Sequence, residues 1–305
     1  MKKTKRPSML RTRLAEVQKN GVILNIFGLV PLACSILLVG VLLWGLFIAF
    51  TDPAWYLDNT HAFIPQKMTL SNFADAFSKI TLRISDPEVG FRDVRYIEMF
   101  WNSIWYSVGG TVMKIASTMC FAYVVARFEF PGRKLLHGFV ILQLMLPIYG
   151  QSSANYVLLS DLHLVDNPWY LLSQGAGHGM YFLISYNFFR NISYGYVEAA
   201  KIDGAGAFTI FGRVVMPLAK PIAVALGIMT FIGYWNDYST VIVYLRSHPT
   251  LSAGLFQIKN MAFTLGLQTP QYFAAIFIAV FPVAVLFIIF NKQIMSNMSI
   301  GGLKE

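Results

Sequence analysis

The chain has 305 residues, of which 56% are apolar and only 13% are charged, and its formal net charge is +9. Soluble globular domains carry about 25% charged residues, so this composition excludes an ordinary soluble protein and indicates a membrane protein. Two cysteines inside apolar stretches, Cys34 and Cys120, and five scattered histidines offer neither a disulfide framework nor metal-ligand spacing.

Six apolar segments are long enough to cross a bilayer, and we interpret them as one all-α, polytopic membrane domain over residues 28–305. The first, "GLVPLACSILLVGVLLWGLFIAF", has 23 residues and rises about 34 Å as a helix. Residues 1–27 before it form a basic cytoplasmic N-terminus. The fourth segment begins with three glycines and a histidine, so a five-span fold is the alternative. The predicted spans after the first are 102–126, 135–159, 170–189, 222–245 and 271–290.

The distribution of charge favours the six-span interpretation. With the N-terminus in the cytoplasm, the inner segments hold sixteen basic and five acidic residues, whereas the outer segments hold seven basic and nine acidic residues. Short cytoplasmic loops of membrane proteins are enriched in Lys and Arg, so both termini are predicted to be cytoplasmic. The positive charge then requires no nucleic-acid partner, because a basic N-terminus is attracted to the anionic inner leaflet of the bilayer.

The segment between the first two spans, residues 51–99, is predicted on the outer side of the membrane. It contains "DPAWYLDN", "MTLSNFADAF" and "RISDPEVGFRDVRYIE", which mix aromatic residues with balanced charge. We expect this segment to form short helices beside the membrane.

The loop between the fourth and fifth spans, about residues 190–221, is long for a helical membrane protein. It carries "EAAKIDGAGAFTIFGRVVMPLAKP", and we call residues 190–221 the Glu-Ala-Ala loop. Its "YVEAAKID" part predicts a short helix with Glu198 in the first turn, where the helix dipole favours an acid. Gly204 is predicted to break or bend this helix.

The second half of the Glu-Ala-Ala loop, "AFTIFGRVVMP", predicts another helix. Phe208, Phe211 and Val215 have helical spacing on one face, and Pro217 limits how far an unkinked helix continues. The predicted shape is helix, bend, helix. It suits either a knob that docks onto a basic partner or an amphipathic helix lying on the bilayer surface.

This stretch resembles the Glu-Ala-Ala loop of permease subunits in binding-protein-dependent ABC importers, in which Glu-Ala-Ala is followed by Asp-Gly-Ala and later by Pro. The segments "WNSIWYS", "ARFEFPGRKLL", "YWNDYS" and "SIGGLKE" also resemble carbohydrate-type permeases, in the order in which that family carries them. The resemblance covers the chain from about residue 99 to the C-terminus. It is nearest to the six-span partner of a maltose-type permease pair. The tail departs from the pattern, since Glu305 replaces the final Gly and the usual Thr-Ala is missing.

The resemblance implies a type I ABC importer permease fold in the bacterial cytoplasmic membrane. It further implies that the Glu-Ala-Ala loop sits in a cleft on an ATPase subunit. Glu198 would form an ion pair with that subunit, a helix-capping charge being the alternative, and Gly204 would permit the bend. The coupling residues implied in this way are Glu198, Ala199, Ala200, Asp203, Gly204 and Pro217.

The partners implied by the resemblance are a second permease subunit, two cytoplasmic ATPase subunits and an extracytoplasmic solute-binding protein. The chain lacks the G-x-x-x-x-G-K-[ST] pattern of a phosphate-binding loop. We therefore expect it not to be an enzyme and to need no cofactor, with ATP and Mg bound by the ATPase subunits. The implied substrate is a carbohydrate, preferably an oligosaccharide.

Polar residues inside spans are costly and usually face a cavity or one another. "YWNDYS" places aromatic rings beside hydrogen-bonding groups, a combination that suits sugars, and "PIYGQSSANY" forms a second polar cluster in the third span. The alternative is a network that holds helices together. Lys114 could pair with Asp237. The candidate pathway residues are Tyr149, Gln151, Asn155, Trp235, Asn236 and Asp237.

The rival function is a self-sufficient secondary transporter. It would require a complete pathway in one chain, often built from internal repeats with ion sites near the membrane midplane. We find no convincing repeat, and such a transporter would leave the Glu-Ala-Ala loop unexplained. A scaffolding membrane protein and a membrane enzyme are weaker alternatives, since no Ser-His-Asp or Cys-His order stands out.

Overall fold

The computed structural model describes residues 21–60, 64–86, 90–146, 151–176, 179–261 and 267–298. This part of the chain is mostly helical, with one two-stranded antiparallel sheet. The elements in chain order are α1 (Gly21–Ala49), α2 (Pro53–Asp58), α3 (Ser71–Lys79), β1 (Thr81–Asp86), β2 (Gly90–Arg95), α4 (Tyr96–Arg127), α5 (Arg133–Met145), α6 (Gln151–Asp161), a 3₁₀-helix (Pro168–Ala176), α7 (Gly179–Asn191), α8 (Tyr194–Ile202), α9 (Ala207–Thr209), a π-helix (Ile210–Val215), α10 (Met216–Asn236), α11 (Ser239–Tyr244), α12 (Leu251–Met261) and α13 (Thr269–Met298).

Four helical stretches within the described residues are long and apolar enough to cross a membrane. They correspond to the predicted spans one, two, five and six. The fifth ends at Asn236 rather than at the predicted residue 245, because Asp237 leaves the helical conformation with ψ near 100°. These four stretches are Leu29–Ala49, Tyr96–Arg127, Ala207–Asn236 and Thr269–Asn291.

The predicted third and fourth spans are each divided into two short helices. Helices α5 and α6 have 13 and 11 residues, so they rise about 20 and 17 Å and only the pair can cross a bilayer core of about 30 Å. Leu146, which ends α5, has the extended backbone expected before a proline. The fourth span is likewise divided between the 3₁₀-helix and α7. The arrangement is consistent with six spans, two of them broken.

The outer segment between α1 and α4 contains more than the short helices we expected. Helices α2 and α3 are present, but β1 and β2 form a hairpin in which Leu82 is paired with Val94. Leu82, Ile84 and Val94 are buried on its inner face against α4 and α12. The alternation of Leu82 and Ile84 before a Pro and Gly turn signal, "DPEVG", is typical of a hairpin.

Helix α4 is the centre of the packing. It contacts α7, α10 and the 3₁₀-helix, whereas α1 lies against α13. Most leucine and valine side chains of α1 are exposed, as expected for a helix that faces lipid rather than protein. The fold therefore places a packed helical bundle beside an outer helix, with the Glu-Ala-Ala loop at one end of the bundle.

Candidate functional site

The Glu-Ala-Ala loop contains the bend that its sequence predicts. Helix α8 ends in two backbone hydrogen bonds, from Gly204 N to Lys201 O at 3.0 Å and from Ala205 N to Ala200 O at 2.9 Å. Together they form the Schellman motif, which satisfies the last carbonyl groups of a helix. The motif requires a left-handed residue, and Gly204 has a φ of 79°, a conformation that glycine adopts without steric cost.

The bend presents a protruding surface that we call the loop tip, formed by Glu198, Ile202, Asp203 and Phe208. Glu198 and Asp203 are exposed, and neither forms an ion pair with the described part of the chain. Between them project two large apolar side chains, Ile202 at 85% and Phe208 at 93% exposure. The loop tip thus combines apolar surface with two carboxylates that form no ion pair in the described part of the chain.

The remaining coupling candidates differ in exposure. Ala199, Gly204 and Pro217 are exposed, and Ala200 is half-buried against the bundle. Glu198 is the fifth residue of α8. The expectation that it lies in the first turn is therefore wrong, and so is the alternative that it caps the helix.

The second helix of the loop differs from the prediction. Residues Ile210–Val215 form a π-helix, in which hydrogen bonds join residues five apart. Ile210 and Val215 consequently share one buried face, and Phe211 packs against the same cluster. Phe208 points away from it, so the prediction that Phe208 shares a face with Phe211 and Val215 is wrong.

The loop is anchored to the bundle by its apolar side. Val197, Ile210 and Val215 are buried in a cluster that includes Tyr123 of α4 and Phe189 of α7. Burial of an aliphatic side chain contributes about 1.5–3 kcal/mol. The Arg127 guanidinium also donates a hydrogen bond to the Ile192 carbonyl at the start of the loop. The loop is therefore in direct contact with α4 and α7.

A second feature, which we call the polar cavity, lies between α4, α7 and α10. Its volume is about 340 Å³, and Lys114, Tyr181, Asn236 and Asp237 are among its lining residues. Lys114 lies 5.5 Å from the centre of the Tyr181 ring and 6.0 Å from that of the Tyr234 ring. Lys114 and Asp237 line the same cavity, but no ion pair joins them.

Asp237 also holds helices together. One carboxylate oxygen accepts a hydrogen bond from Tyr106 Oη of α4 at 3.1 Å, and the other accepts one from Thr240 N at 3.0 Å, at the start of α11. Asp237 therefore lines the cavity and also joins two helices. The sequence left these two roles open as alternatives.

Trp235 does not line the polar cavity. It is only 4% exposed, and its indole N–H donates a hydrogen bond to the Ala279 carbonyl of α13 at 2.9 Å. Asn236 is exposed and lines the polar cavity as well as a smaller cavity that it shares with Trp235 and Ser252. The aromatic faces beside Lys114 are supplied instead by Tyr181 and Tyr234.

The cluster predicted in the third span is described only in part. Tyr149 lies outside the described residues, Gln151 is the first residue of α6, and Asn155 is exposed on that helix. Asn155 is not among the residues that line the polar cavity.

Lys114, Tyr181 and Tyr234 are not among the pathway residues that the sequence predicts. A lysine in the middle of a span was a signal, but its neighbours were not, because the sequence does not show which helices face one another. Among the described residues, no group of three or more His, Cys, Asp or Glu side chains is placed to hold a metal ion.

Comparison with known proteins gives a family match and relatives over most of the chain. The family model described as "Binding-protein-dependent transport system inner membrane component" matches residues 118–299. The chain is 28% identical to the diacetylchitobiose uptake system permease protein of Streptomyces coelicolor over 274 residues, 88% of this chain and 84% of that protein. It is 31% identical to the sn-glycerol-3-phosphate transport system permease protein of Yersinia enterocolitica over 85% of this chain and 90% of that one.

A solved structure has the same fold. It is a chain of a bacterial ABC transporter involved in the import of the acidic polysaccharide alginate, and the TM-score is 0.71 at 21% sequence identity. The similarity covers 95% of this chain and 99% of that one. The helical arrangement described above is thus shared with a chain of an ABC importer.

Proposed function

Because this chain belongs to the family of binding-protein-dependent transport system inner membrane components, we propose that it forms, with a second permease subunit, the membrane pathway for a carbohydrate delivered by a solute-binding protein. It is a permease subunit of an importer, and the family match favours this function over a self-sufficient secondary transporter. Permeases of this family are not enzymes themselves. ATP and Mg are bound, in this proposal, by two cytoplasmic ATPase subunits.

The coupling part of the proposal rests on the composition of the loop tip. Its two carboxylates have no ion-pair partner in the described part of the chain, and Phe208 is 93% exposed. Exposed apolar side chains beside unpaired charge are typical of a surface that a protein partner covers. The proposed partner is a cleft on the ATPase subunit with a basic residue opposite Glu198. The loop side of the bundle is then cytoplasmic, as the charge distribution predicts.

The proposed substrate is an oligosaccharide. Two of the relatives are named for diacetylchitobiose and sn-glycerol-3-phosphate, so the family includes both neutral and anionic substrates. The polar cavity holds one ammonium group and one carboxylate, Lys114 and Asp237, beside the rings of Tyr181 and Tyr234. A cation and a carboxylate in one cavity, beside aromatic faces, suit a neutral sugar, whose hydroxyl groups need both donors and acceptors. A phosphate would favour a cationic cavity without a carboxylate.

The experiment is ATP hydrolysis by the affinity-purified complex in lipid, measured with candidate binding proteins, each empty or loaded with an oligosaccharide or with sn-glycerol-3-phosphate. We expect stimulation by one binding protein loaded with an oligosaccharide. Stimulation by the glycerol-phosphate-loaded protein alone would overturn the substrate class while leaving the importer in place. Transport by this chain alone without ATP would overturn the importer itself.

A further inference from the structure

A cluster of basic side chains lies on the loop side of the bundle, between α5 and α7. It lines a pocket of about 360 Å³ that we call the basic pocket, formed by Arg133, Lys134, His137, Tyr186 and Arg190. No carboxylate lines this pocket, and none of its three Lys and Arg residues forms an ion pair with the described part of the chain. We propose that the basic pocket binds the phosphate headgroup of an anionic phospholipid of the inner leaflet.

Contacts within the bundle hold the side chains of the basic pocket in place. The His137 ring packs against the Tyr186 ring, with 4.5 Å between ring centres, and joins α5 to α7. The Arg133 guanidinium donates one hydrogen bond to the Ala126 carbonyl at 3.0 Å, which orients it and leaves its other donors available to an anion. Three cations held close together without an acid repel one another, and a bound phosphate relieves that repulsion.

The surface next to the basic pocket favours a lipid over a free anion. Ile141, Leu144 and Met145 of α5 are exposed at 37%, 44% and 73%. Ile141 and Leu144 follow His137 by four and seven positions, and Met145 is the next position along, so all three lie on the pocket side of the helix. A phospholipid fits both the basic pocket and the apolar face, because its phosphate can occupy the pocket while its acyl chains lie along the helix. Basic pockets between transmembrane helices on the cytoplasmic side are suited to anionic headgroups.

The test uses the purified importer complex in nanodiscs that contain phosphatidylcholine and a minority of phosphatidylglycerol. Native mass spectrometry measures the phosphatidylglycerol that stays bound. The double variant Lys134→Gln/Arg190→Gln removes two exposed cations that have no hydrogen-bond role in the described structure. Since each Lys or Arg near an anionic lipid contributes about fivefold to binding, we expect about a 30-fold loss of affinity.

The matched control is Arg213→Gln/Lys220→Gln, which removes the same charge from exposed positions elsewhere on the loop side. We expect its lipid retention to equal that of the wild type. Equal retention by the pocket variant and the wild type would overturn the proposal. So would displacement of the lipid by millimolar inorganic phosphate, which would identify a free anion as the ligand. Cross-linking of Lys134 to an acidic segment of a partner subunit would also overturn it. The experiment does not depend on ATPase coupling, so its failure would leave the proposed function intact.

Discussion

Replacement of Gly204 tests whether the bend of the Glu-Ala-Ala loop is needed for coupling. A Cβ added at this position has no neighbour within 4 Å, so Gly204→Ala causes no collision. Its effect comes from the backbone alone, since φ is 79° and a non-glycine residue in the left-handed region costs about 1–2 kcal/mol. That cost is comparable to the net contribution of the two hydrogen bonds of the Schellman motif, about 0.5–1.5 kcal/mol each.

The expected result is a rise of about 5- to 30-fold in the population of the opened loop. This factor follows from the backbone cost of about 1–2 kcal/mol, since about 1.4 kcal/mol changes an equilibrium constant tenfold. Hydrogen exchange at the Gly204 and Ala205 amides, which donate the two bonds, measures that population. If the ATPase subunit binds the bent loop, the transport rate per ATP hydrolysed in proteoliposomes should fall as the population of the bent loop falls.

Two further variants make the interpretation specific. Gly204→Asn should restore most of the protection, because asparagine tolerates the left-handed region better than alanine. Gly206→Ala is the matched control, since a Cβ there also has no neighbour within 4 Å and its φ is −73°. If the Ala variant at position 204 retains wild-type exchange and coupling, or if Gly206→Ala loses as much, the proposed role of the bend is refuted.

The remaining predictions concern the loop tip, the polar cavity and the outer contacts. Glu198→Lys should leave membrane insertion intact but abolish sugar-stimulated ATP hydrolysis, because it places a cation opposite the basic residue proposed on the ATPase subunit. Transport at the wild-type rate would contradict this prediction. Lys114→Met should lower the transport rate at low substrate concentration by about tenfold or more, as expected for loss of a hydrogen bond to a charged group. Tyr106→Phe removes the hydrogen bond that braces Asp237 and should lower thermal stability. If Lys114→Met lowers the transport rate no more than Tyr106→Phe does, Lys114 is not a pathway residue. The Lys79 ammonium, aided by the Gln271 amide, holds the pKa of Asp75 below its ordinary value. Asp75→Asn should therefore destabilise the complex by about 0.2–1 kcal/mol at neutral pH, and this difference from wild type should vanish as the pH falls through the lowered pKa. A difference in stability that does not change with pH would refute the prediction.

The bend and the four long apolar spans could be predicted because each depends on local chemistry, whereas the breaks in the third and fourth spans were not predicted. Apolar length alone identifies a segment that crosses a bilayer, and a glycine after a short helix identifies its end, since few other residues adopt a positive φ. The motif of the Glu-Ala-Ala loop also indicated the family, because it is a contiguous pattern that can be read without knowledge of the fold.

The sequence alone could not determine which surfaces meet. Phe208 is exposed whereas Phe211 packs against the bundle, because Ile210 and Val215 of the π-helix are the residues buried against α4 and α7. Trp235 is buried by contact with α13, whereas Lys114 is brought to the polar cavity by the approach of α7 and α10. Arg133 and Arg190 are 57 positions apart in the chain and meet in the basic pocket only because α5 and α7 pack together. Periodicity and motif determine local conformation, but long-range packing decides which polar groups share a site.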